Sequence, residues 1–256
     1  MRKFGFTLAE ILVTLSIIGV VAALTIPPLM SGSQDQANAS KLAATVSNIE
    51  TAFSNAMTKD RVSDLRETQL FEGLVSFGGS ILIDSEDTDH DTLTAFIGKL
   101  GQYLAINGYS FNGSGDGTTK YYMNTSGGKG GVTEDYVEDP MVFLKNGATM
   151  FLSTAYGTDI ETNDAISEGL SLTNGVADII IDVNGTGQPN TVGRDLFRFV
   201  LGQDGVLYPY GGADVAKYRS FNGTWETATD DNGCNSSSMS WGCTARLISN
   251  GYKMNY

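Results

Sequence analysis

A single carboxylate interrupts the apolar N-terminal stretch of the sequence. Between Phe6 and Ile26, Glu10 is the one charged residue. A helix of this length, at about 1.5 Å per residue, covers the roughly 30 Å of a membrane's hydrocarbon core. An ionised acid inside such a segment is costly and predicts a partner of opposite charge. The segment contains no Lys or Arg, so the partner must come from elsewhere.

Oxygen-bearing side chains alternate where the apolar run DIIID ends. Asp182, Asn184 and Thr186 occupy every second position before a glycine, and Asp195 follows. Calcium binds such hard oxygen ligands, so these four residues are a candidate calcium site. The twelfth position is Gly193, where a standard calcium loop has Glu. The simpler interpretation is a turn between strands, in which Asp182 and Asn184 bond to nearby backbone amides.

The remaining reactive groups restrict the class of protein. His90 is the only histidine, so a hydrolase triad or a histidine-rich zinc site has little to be built from, and we predict no catalytic residues. Cys234 and Cys243 are the only cysteines, and they predict a disulfide in an oxidising compartment, with two reduced buried thiols as the alternative. The net charge of -13 argues against a nucleic-acid partner.

The charges around the apolar segment predict its orientation. Arg2 and Lys3 precede it, and the next basic residue is Lys41. The positive-inside rule places the N-terminus in the cytoplasm and the rest of the chain outside. An ordinary signal peptide cut after Val21-Ala22-Ala23, so that the chain starts at Leu24, and a plain membrane anchor are the alternatives. Neither alternative explains Glu10.

A different cut supplies the missing cation. Cleavage between Gly5 and Phe6 creates an α-amino group four residues before Glu10. A neighbouring copy, displaced along its axis, presents this amine to the carboxylate. The resulting ion pair joins subunits and sets their register.

The stretch KFGFTLAEILVTLSIIGVVAALTIPPL resembles the class III signal of type IV pilins and type II secretion pseudopilins: a short basic leader, Gly, an aromatic residue, Thr-Leu, and then Glu. The resemblance implies cleavage between Gly5 and Phe6 by a prepilin peptidase, N-methylation of Phe6, and assembly through Glu10. It implies other pilin-like subunits and an inner-membrane assembly platform as partners. A C-terminal disulfide loop and a calcium loop near the final strands also occur in pilin-like heads.

Patterning and resemblance together predict an α+β fold, with a long N-terminal helix packed on a mainly antiparallel pilin-like sheet. We expect a leader at residues 1–5, a membrane and filament-core helix at 6–30, an amphipathic stem helix at 31–58 and an extracytoplasmic head at 59–256. Pro27 and Pro28 are expected to kink or interrupt the helix, with a restart in Ser31–Gln36.

Within these segments, apolar periodicity and turn residues predict individual elements. One apolar stripe of the stem is formed by Leu42, Val46, Ile49, Phe53 and Ala56. Asn146-Gly147 and Asp204-Gly205 predict hairpin turns. Helices are expected at Thr92–Leu104 and from Thr244, with Gly251 ending the second.

Three functions follow as hypotheses. The first is a structural subunit of a type IV pilus or secretion pseudopilus, located in the inner membrane and then in the filament, with no cofactor beyond possible structural calcium. The second is a minor or tip subunit, because about 198 residues follow the stem. The third is a membrane-anchored secreted enzyme, for which the sequence offers no constellation of polar residues.

Overall fold

The structure is a computed structural model that describes residues 7–74, 76–77, 80–81, 90–111, 122–124, 134–136, 140–153, 175–185, 187, 190–217, 223–227, 233–234 and 240–254. The chain divides into two compact units, Met1–Ala37 and Asn38–Tyr256. Helix α1, Leu8–Asp60, contributes to both units.

Helical backbone in α1 includes Pro27 and Pro28, so the interruption and restart predicted there are not present. A proline inside a helix lacks an amide hydrogen, and its ring crowds the carbonyl four residues earlier. The two prolines therefore leave the carbonyls of Ala23 and Leu24 without their usual helical donors.

The second unit is built on a six-stranded, fully antiparallel sheet in the order β10-β9-β8-β7-β6-β3. The sheet strands are β3 (Ile106–Phe111), β6 (Pro140–Leu144), β7 (Thr149–Ser153), β8 (Gly175–Asp182), β9 (Leu196–Gly202) and β10 (Leu207–Pro209). Two further two-stranded sheets are formed by β1 (Ser76–Phe77) with β2 (Ser80–Ile81), and by β4 (Tyr122–Asn124) with β5 (Glu134–Tyr136). The predicted α+β class with a mainly antiparallel sheet is confirmed.

Both predicted hairpins are present in this sheet. The strands β6 and β7 pair around Gly147, and β9 and β10 pair around Gly205. These glycines have φ values of 80° and 77°, in the left-handed region that favours glycine. Each of these turns therefore sets the register of the two strands that it joins.

The stem half of α1 packs on one face of the sheet. The whole predicted stripe is buried there, together with Ala39 and Ala52, and it joins side chains such as Ile179, Ile181 and Phe199 in the larger of two apolar cores. Phe53 contacts Phe71 at a ring-centroid distance of 6.3 Å. Apolar burial of this size is the main term that holds the helix to the strands.

The smaller core lies on the opposite face of the sheet. Along β9, Phe197 and Phe199 belong to the first core, whereas Leu196 and Val200 belong to the second. The period of two along a strand places alternate side chains on opposite faces. The C-terminal part of the chain covers the second face through Tyr210, Val215 and Trp241.

Two shorter helices complete the unit. Helix α2, His90–Leu100, ends four residues earlier than predicted, and its side chains Phe96 and Ile97 enter the first core. Helix α3, Cys243–Ser249, begins one residue before the predicted start, and Gly251 follows it with φ 63°. Short 3-10 helices are formed by Leu65–Glu67 and Ala213–Lys217.

Candidate functional site: the N-terminal helix and the head loops

The N-terminal part of α1 presents an apolar surface. The segment Leu8–Ile26 is 19 residues long, carries one charge and buries none of its length in the structure. Its large apolar side chains are 45% to 79% exposed, from Ile11 to Leu8. By length and composition this one N-terminal apolar helix fits a single-pass membrane anchor.

Glu10 closes on Thr7 at the beginning of the helix. One carboxylate oxygen, Oε2, accepts hydrogen bonds from the Thr7 backbone N–H at 2.7 Å and from Thr7 Oγ1 at 2.9 Å. In return, Thr7 Oγ1 accepts a hydrogen bond from the Glu10 backbone N–H at 3.3 Å. This reciprocal arrangement is a capping box, in which a threonine before the helix and an acid three residues later satisfy each other's free groups.

Sequence reasoning missed this contact, although its signal was present. The four residues Thr7-Leu8-Ala9-Glu10 fit the pattern Thr-x-x-Glu that starts many helices. The predicted cleavage residues, Gly5 and Phe6, lie outside the described part of the chain.

Three of the four candidate calcium ligands meet near the end of β8. Asp182 and Asp195 are buried, and Asn184 Nδ2 donates to Asp195 Oδ2 at 3.0 Å. Asp182 Oδ1 accepts from the Asn184 backbone N–H at 2.9 Å, and Asp195 Oδ1 accepts from the backbone N–H of Thr191. Thr186, the fourth candidate, lies outside the described residues. These bonds are of the local kind that the simpler interpretation expects.

Lys41 of α1 brings a positive charge to the same loop. A Cβ atom at Gly147 would lie 3.4 Å from Lys41 Nζ, so the ammonium group lies against the β6-β7 turn. That turn also meets the β8 loop closely, because a Cβ atom at Gly185 would lie 2.8 Å from the Gly147 carbonyl oxygen. Burial lowers the pKa of Lys41, and the charge of Asp182 opposes this lowering.

The loop is therefore a buried polar cluster with its own internal partners. Burial raises the pKa of Asp195, against the effect of the amides that donate to it. In the part of the chain that the structure describes, no group of three or more His, Cys, Asp and Glu side chains is placed to hold a metal ion. A calcium ion would have to bind with amide and backbone oxygens beside the two carboxylates.

The C-terminal residues that lie over the second face of the sheet form the C-terminal cover. Within it, a disulfide joins Cys234 and Cys243, whose Cα atoms lie 4.8 Å apart. Both cysteines are buried. Arg246 Nη1 donates to the Cys234 carbonyl oxygen at 3.0 Å, and the Arg246 guanidinium lies 5.5 Å from the centre of the Trp225 ring. The disulfide and the contacts of Arg246 therefore connect the start of α3 to the segment around Trp225.

A buried ion pair lies beneath this cover, and sequence reasoning did not find it. Arg198 of β9 bonds to Asp178 of β8, and both side chains are almost fully buried. The guanidinium lies 4.7 Å from the ring centre of Tyr210 and 5.8 Å from that of Trp241. Its only sequence signal is one charge in each of two apolar runs, ADIII and FRFV. Aromatic faces and an acid partner together offset the burial of the cation.

The comparison with known proteins concerns the N-terminal segment. Residues 1–26 match the family described as the prokaryotic N-terminal methylation motif. No curated protein and no solved structure matches the chain. The motif implies processing by a prepilin peptidase and assembly with other pilin-like subunits. The chain thus carries, at residues 1–26, the N-terminal methylation motif that is the signal of type IV pilins and pseudopilins.

Proposed function

We propose that the chain is a structural subunit of a type IV pilus or a type II secretion pseudopilus. The observation that carries this proposal is the methylation motif at residues 1–26, on a helix whose apolar side chains are exposed from Leu8 to Ile26. An exposed apolar surface of this size requires either lipid or other copies of itself. A filament whose subunits leave the membrane uses the same surface in both environments.

The mechanism is assembly rather than catalysis. The subunit is inserted with its N-terminus in the cytoplasm, and a prepilin peptidase cuts between Gly5 and Phe6. The new Phe6 amine is methylated and remains positively charged. In the filament, Glu10 of one subunit accepts this amine from its neighbour, while the apolar helices pack in the centre and the acidic heads face solvent.

Mass analysis of the N-terminal peptide, from membranes and from sheared surface fractions, tests this processing. We expect a peptide that starts at methylated Phe6. A peptide that starts at Leu24 would instead establish the ordinary signal peptide. Intact residues 1–5 on chains recovered from the cell surface would overturn the proposal.

A Glu10 variant tests the assembly step. We expect Glu10→Ala to be inserted and cut at Phe6 yet to be missing from sheared filaments, because the neighbour's amine loses its partner. Ser16→Ala is a suitable control, since the Ser16 hydroxyl donates to the Leu12 carbonyl of its own helix, at 2.8 Å. Filaments of Glu10→Ala at the wild-type level would remove the ion pair from the mechanism.

The size of the head favours a second candidate, a minor or tip subunit. The unit Asn38–Tyr256 carries two small sheets, β1-β2 and β4-β5, in addition to the six-stranded sheet. Extra elements on a filament head are suited to contact a surface or a cargo. Counting copies per length of sheared filament separates the two candidates: the main subunit is present at every helical position, and a tip subunit at about one per filament.

A further inference from the structure

We propose that a cleft beside the stem half of α1 binds one uncharged hexose ring, either a free sugar or the terminal residue of a glycan. The cleft has a volume of about 260 Å³ and lies between α1, the segment that leads into β3, and the turn from β6 to β7. All of its lining residues belong to the unit Asn38–Tyr256. The inference therefore goes beyond the proposed function and does not depend on assembly of a filament.

The floor and the size of the cleft fit a small ligand with an apolar side. Leu104 and Leu144 are buried and provide aliphatic surface, and the half-buried Tyr103 adds the surface of its ring. The C–H groups of a sugar ring need apolar surface of this kind. Pockets for drug-sized ligands begin at about 300 Å³, so the cleft has room for roughly one ring.

Asn146 is a fixed polar group at the rim of the cleft. Its Oδ1 accepts a hydrogen bond from the Ala148 backbone N–H at 3.0 Å, and its Nδ2 donates to Thr45 Oγ1 at 2.8 Å. A side-chain amide has two N–H donors and an oxygen with two lone pairs, so one donor and one lone pair remain for a ligand. Because the two internal bonds already orient the amide, its use in binding costs little conformational entropy.

Asn48 and Thr51 complete the rim from α1, about one turn apart. Thr51 Oγ1 donates its proton to the Ser47 carbonyl at 2.7 Å, so its oxygen is left to accept from a ligand. Among the described residues, the Asn48 side chain has no hydrogen-bond partner, so both of its donors and its acceptor are available. Each hydroxyl of a sugar both donates and accepts, and this rim offers both kinds of group.

The charges around the cleft argue against ionic ligands. Of the described residues that line the cleft, none carries a charge. Phosphate and carboxylate ligands need cationic side chains, and a metal ion needs carboxylates or imidazoles, so neither class fits. Lys59 lies near the lining, but its Nζ is 5.3 Å from the centre of the Tyr103 ring, and the hydrogen bond with the Tyr103 hydroxyl raises the pKa of Lys59. Its charge is therefore already engaged by Tyr103.

NMR titration of the isotope-labelled full-length protein tests the site, in micelles of a detergent whose head group is not a sugar. The probes are glucose, galactose and mannose, each as the free sugar and as its methyl pyranoside, with sorbitol as an open-chain control. We expect at least one of these sugars to bind with a Kd of about 1 mM, the affinity of a small uncharged ligand. Binding is recognised by shifts of the side-chain amide signals of Asn48 and Asn146.

Two variants with matched controls locate the site. Asn48→Ala should raise the Kd about tenfold, because it removes hydrogen bonds that only the ligand receives. Asn55→Ala should stay within about twofold of the wild type, since Asn55 is exposed on the same helix and does not line the cleft. Ala105 is exposed and lines the cleft, so Ala105→Phe should fill it and abolish binding, whereas Ala105→Ser should bind as the wild type does.

The outcomes decide both the proposal and the source of the sugar. A methyl pyranoside that binds as tightly as its free sugar supports the terminal residue of a glycan, and binding of the free sugar alone supports a free hexose. The proposal is overturned if no sugar shifts the signals of Asn48 and Asn146, or if sorbitol shifts them equally. It is also overturned by equal losses in Asn48→Ala and Asn55→Ala, or by unchanged binding in Ala105→Phe. Unchanged signals from the buried core show that each variant is folded.

Discussion

Removal of the disulfide tests how the C-terminal cover is held. The perturbation is Cys234→Ala together with Cys243→Ala, in a fragment that starts at Asn38. This start is chosen because the buried apolar side chains of the described chain all lie from Ala39 onwards. Alanine is preferred to serine because both sites are buried and a hydroxyl would need a new partner.

The magnitude follows from the size of the loop that the bond closes. The cysteines are 9 positions apart, so the closed loop contains ten residues. On the chain-entropy model such a loop is worth about 2.7 kcal/mol at 25 °C. For a domain of this size that loss corresponds to a fall in Tm of about 5 to 10 °C.

The folded state is expected to persist in the double variant. The Cys234 amide donates to the Trp225 carbonyl at 3.0 Å, and the Cys243 amide donates to the Ser240 carbonyl at 2.9 Å. Arg246 binds the Cys234 carbonyl as well. Because none of these bonds uses sulfur, we expect the double variant to keep the native cover and to lose stability mainly through its less restricted unfolded chain.

Urea unfolding of the oxidised wild type and the double variant measures the difference, with circular dichroism as the signal. A reductant should lower the free energy of unfolding of the wild type towards that of the double variant and leave the value of the variant unchanged. This comparison serves as an internal control. A difference below about 1 kcal/mol would refute the reasoning, because the loop would then be equally restricted without the bond.

Three further predictions concern the core and the β8 loop. In the same urea assay, Phe53→Ala should lower the free energy of unfolding by about 3 to 5 kcal/mol, because Phe53 is buried. Substitution of its exposed neighbour, Ser54→Ala, should lower it by less than about 0.5 kcal/mol. Equal effects of the two substitutions would contradict the packing of α1 on the sheet. Because Asp182 has local partners, we expect the thermal midpoint to be the same in calcium and in chelator; a calcium-induced rise that Asp182→Ala abolishes would instead establish a calcium site. Because the pKa of Asp195 is raised in the folded state, its contribution to stability is present below the unfolded pKa of 3.8 and is lost as the pH rises through the folded pKa. The free energy of unfolding of Asp195→Asn should therefore rise relative to that of the wild type from about pH 4 to about pH 7. A difference between the two proteins that does not depend on pH would contradict this prediction.

Local patterns in the sequence predicted those parts of the fold that depend on local chemistry. The stripe from Leu42 to Ala56 is buried as expected, because the period of a helix decides which residues share a face. The turns at Gly147 and Gly205 were predicted because a positive φ selects glycine. The pattern of apolar residues, however, does not say which strands become neighbours, and the order β10-β9-β8-β7-β6-β3 was not predicted.

Contacts between residues that are distant in the sequence could not be predicted for the same reason. Arg198 and Asp178 are twenty positions apart, and only the pairing of β8 with β9 brings them together. The approach of Lys41 to the Gly147 turn depends on how α1 lies on the sheet. In the candidate calcium loop the sequence identified residues that do meet, Asp182, Asn184 and Asp195, but it could not show that they bond to one another and to nearby amides.

The capping box changes the physical meaning of the acid in the apolar segment. Two donors from Thr7 compensate part of the cost of placing Glu10 near lipid, but hydrogen bonds to a carboxylate leave its charge in place. Under the proposed function, these bonds would lower the cost of holding the lone subunit in a membrane, while an ammonium group would still gain from approaching Glu10. Under the proposed function, the apolar surface of Leu8–Ile26 would drive association of the subunits, and the pairing of Glu10 with the Phe6 amine would select the register in which they associate.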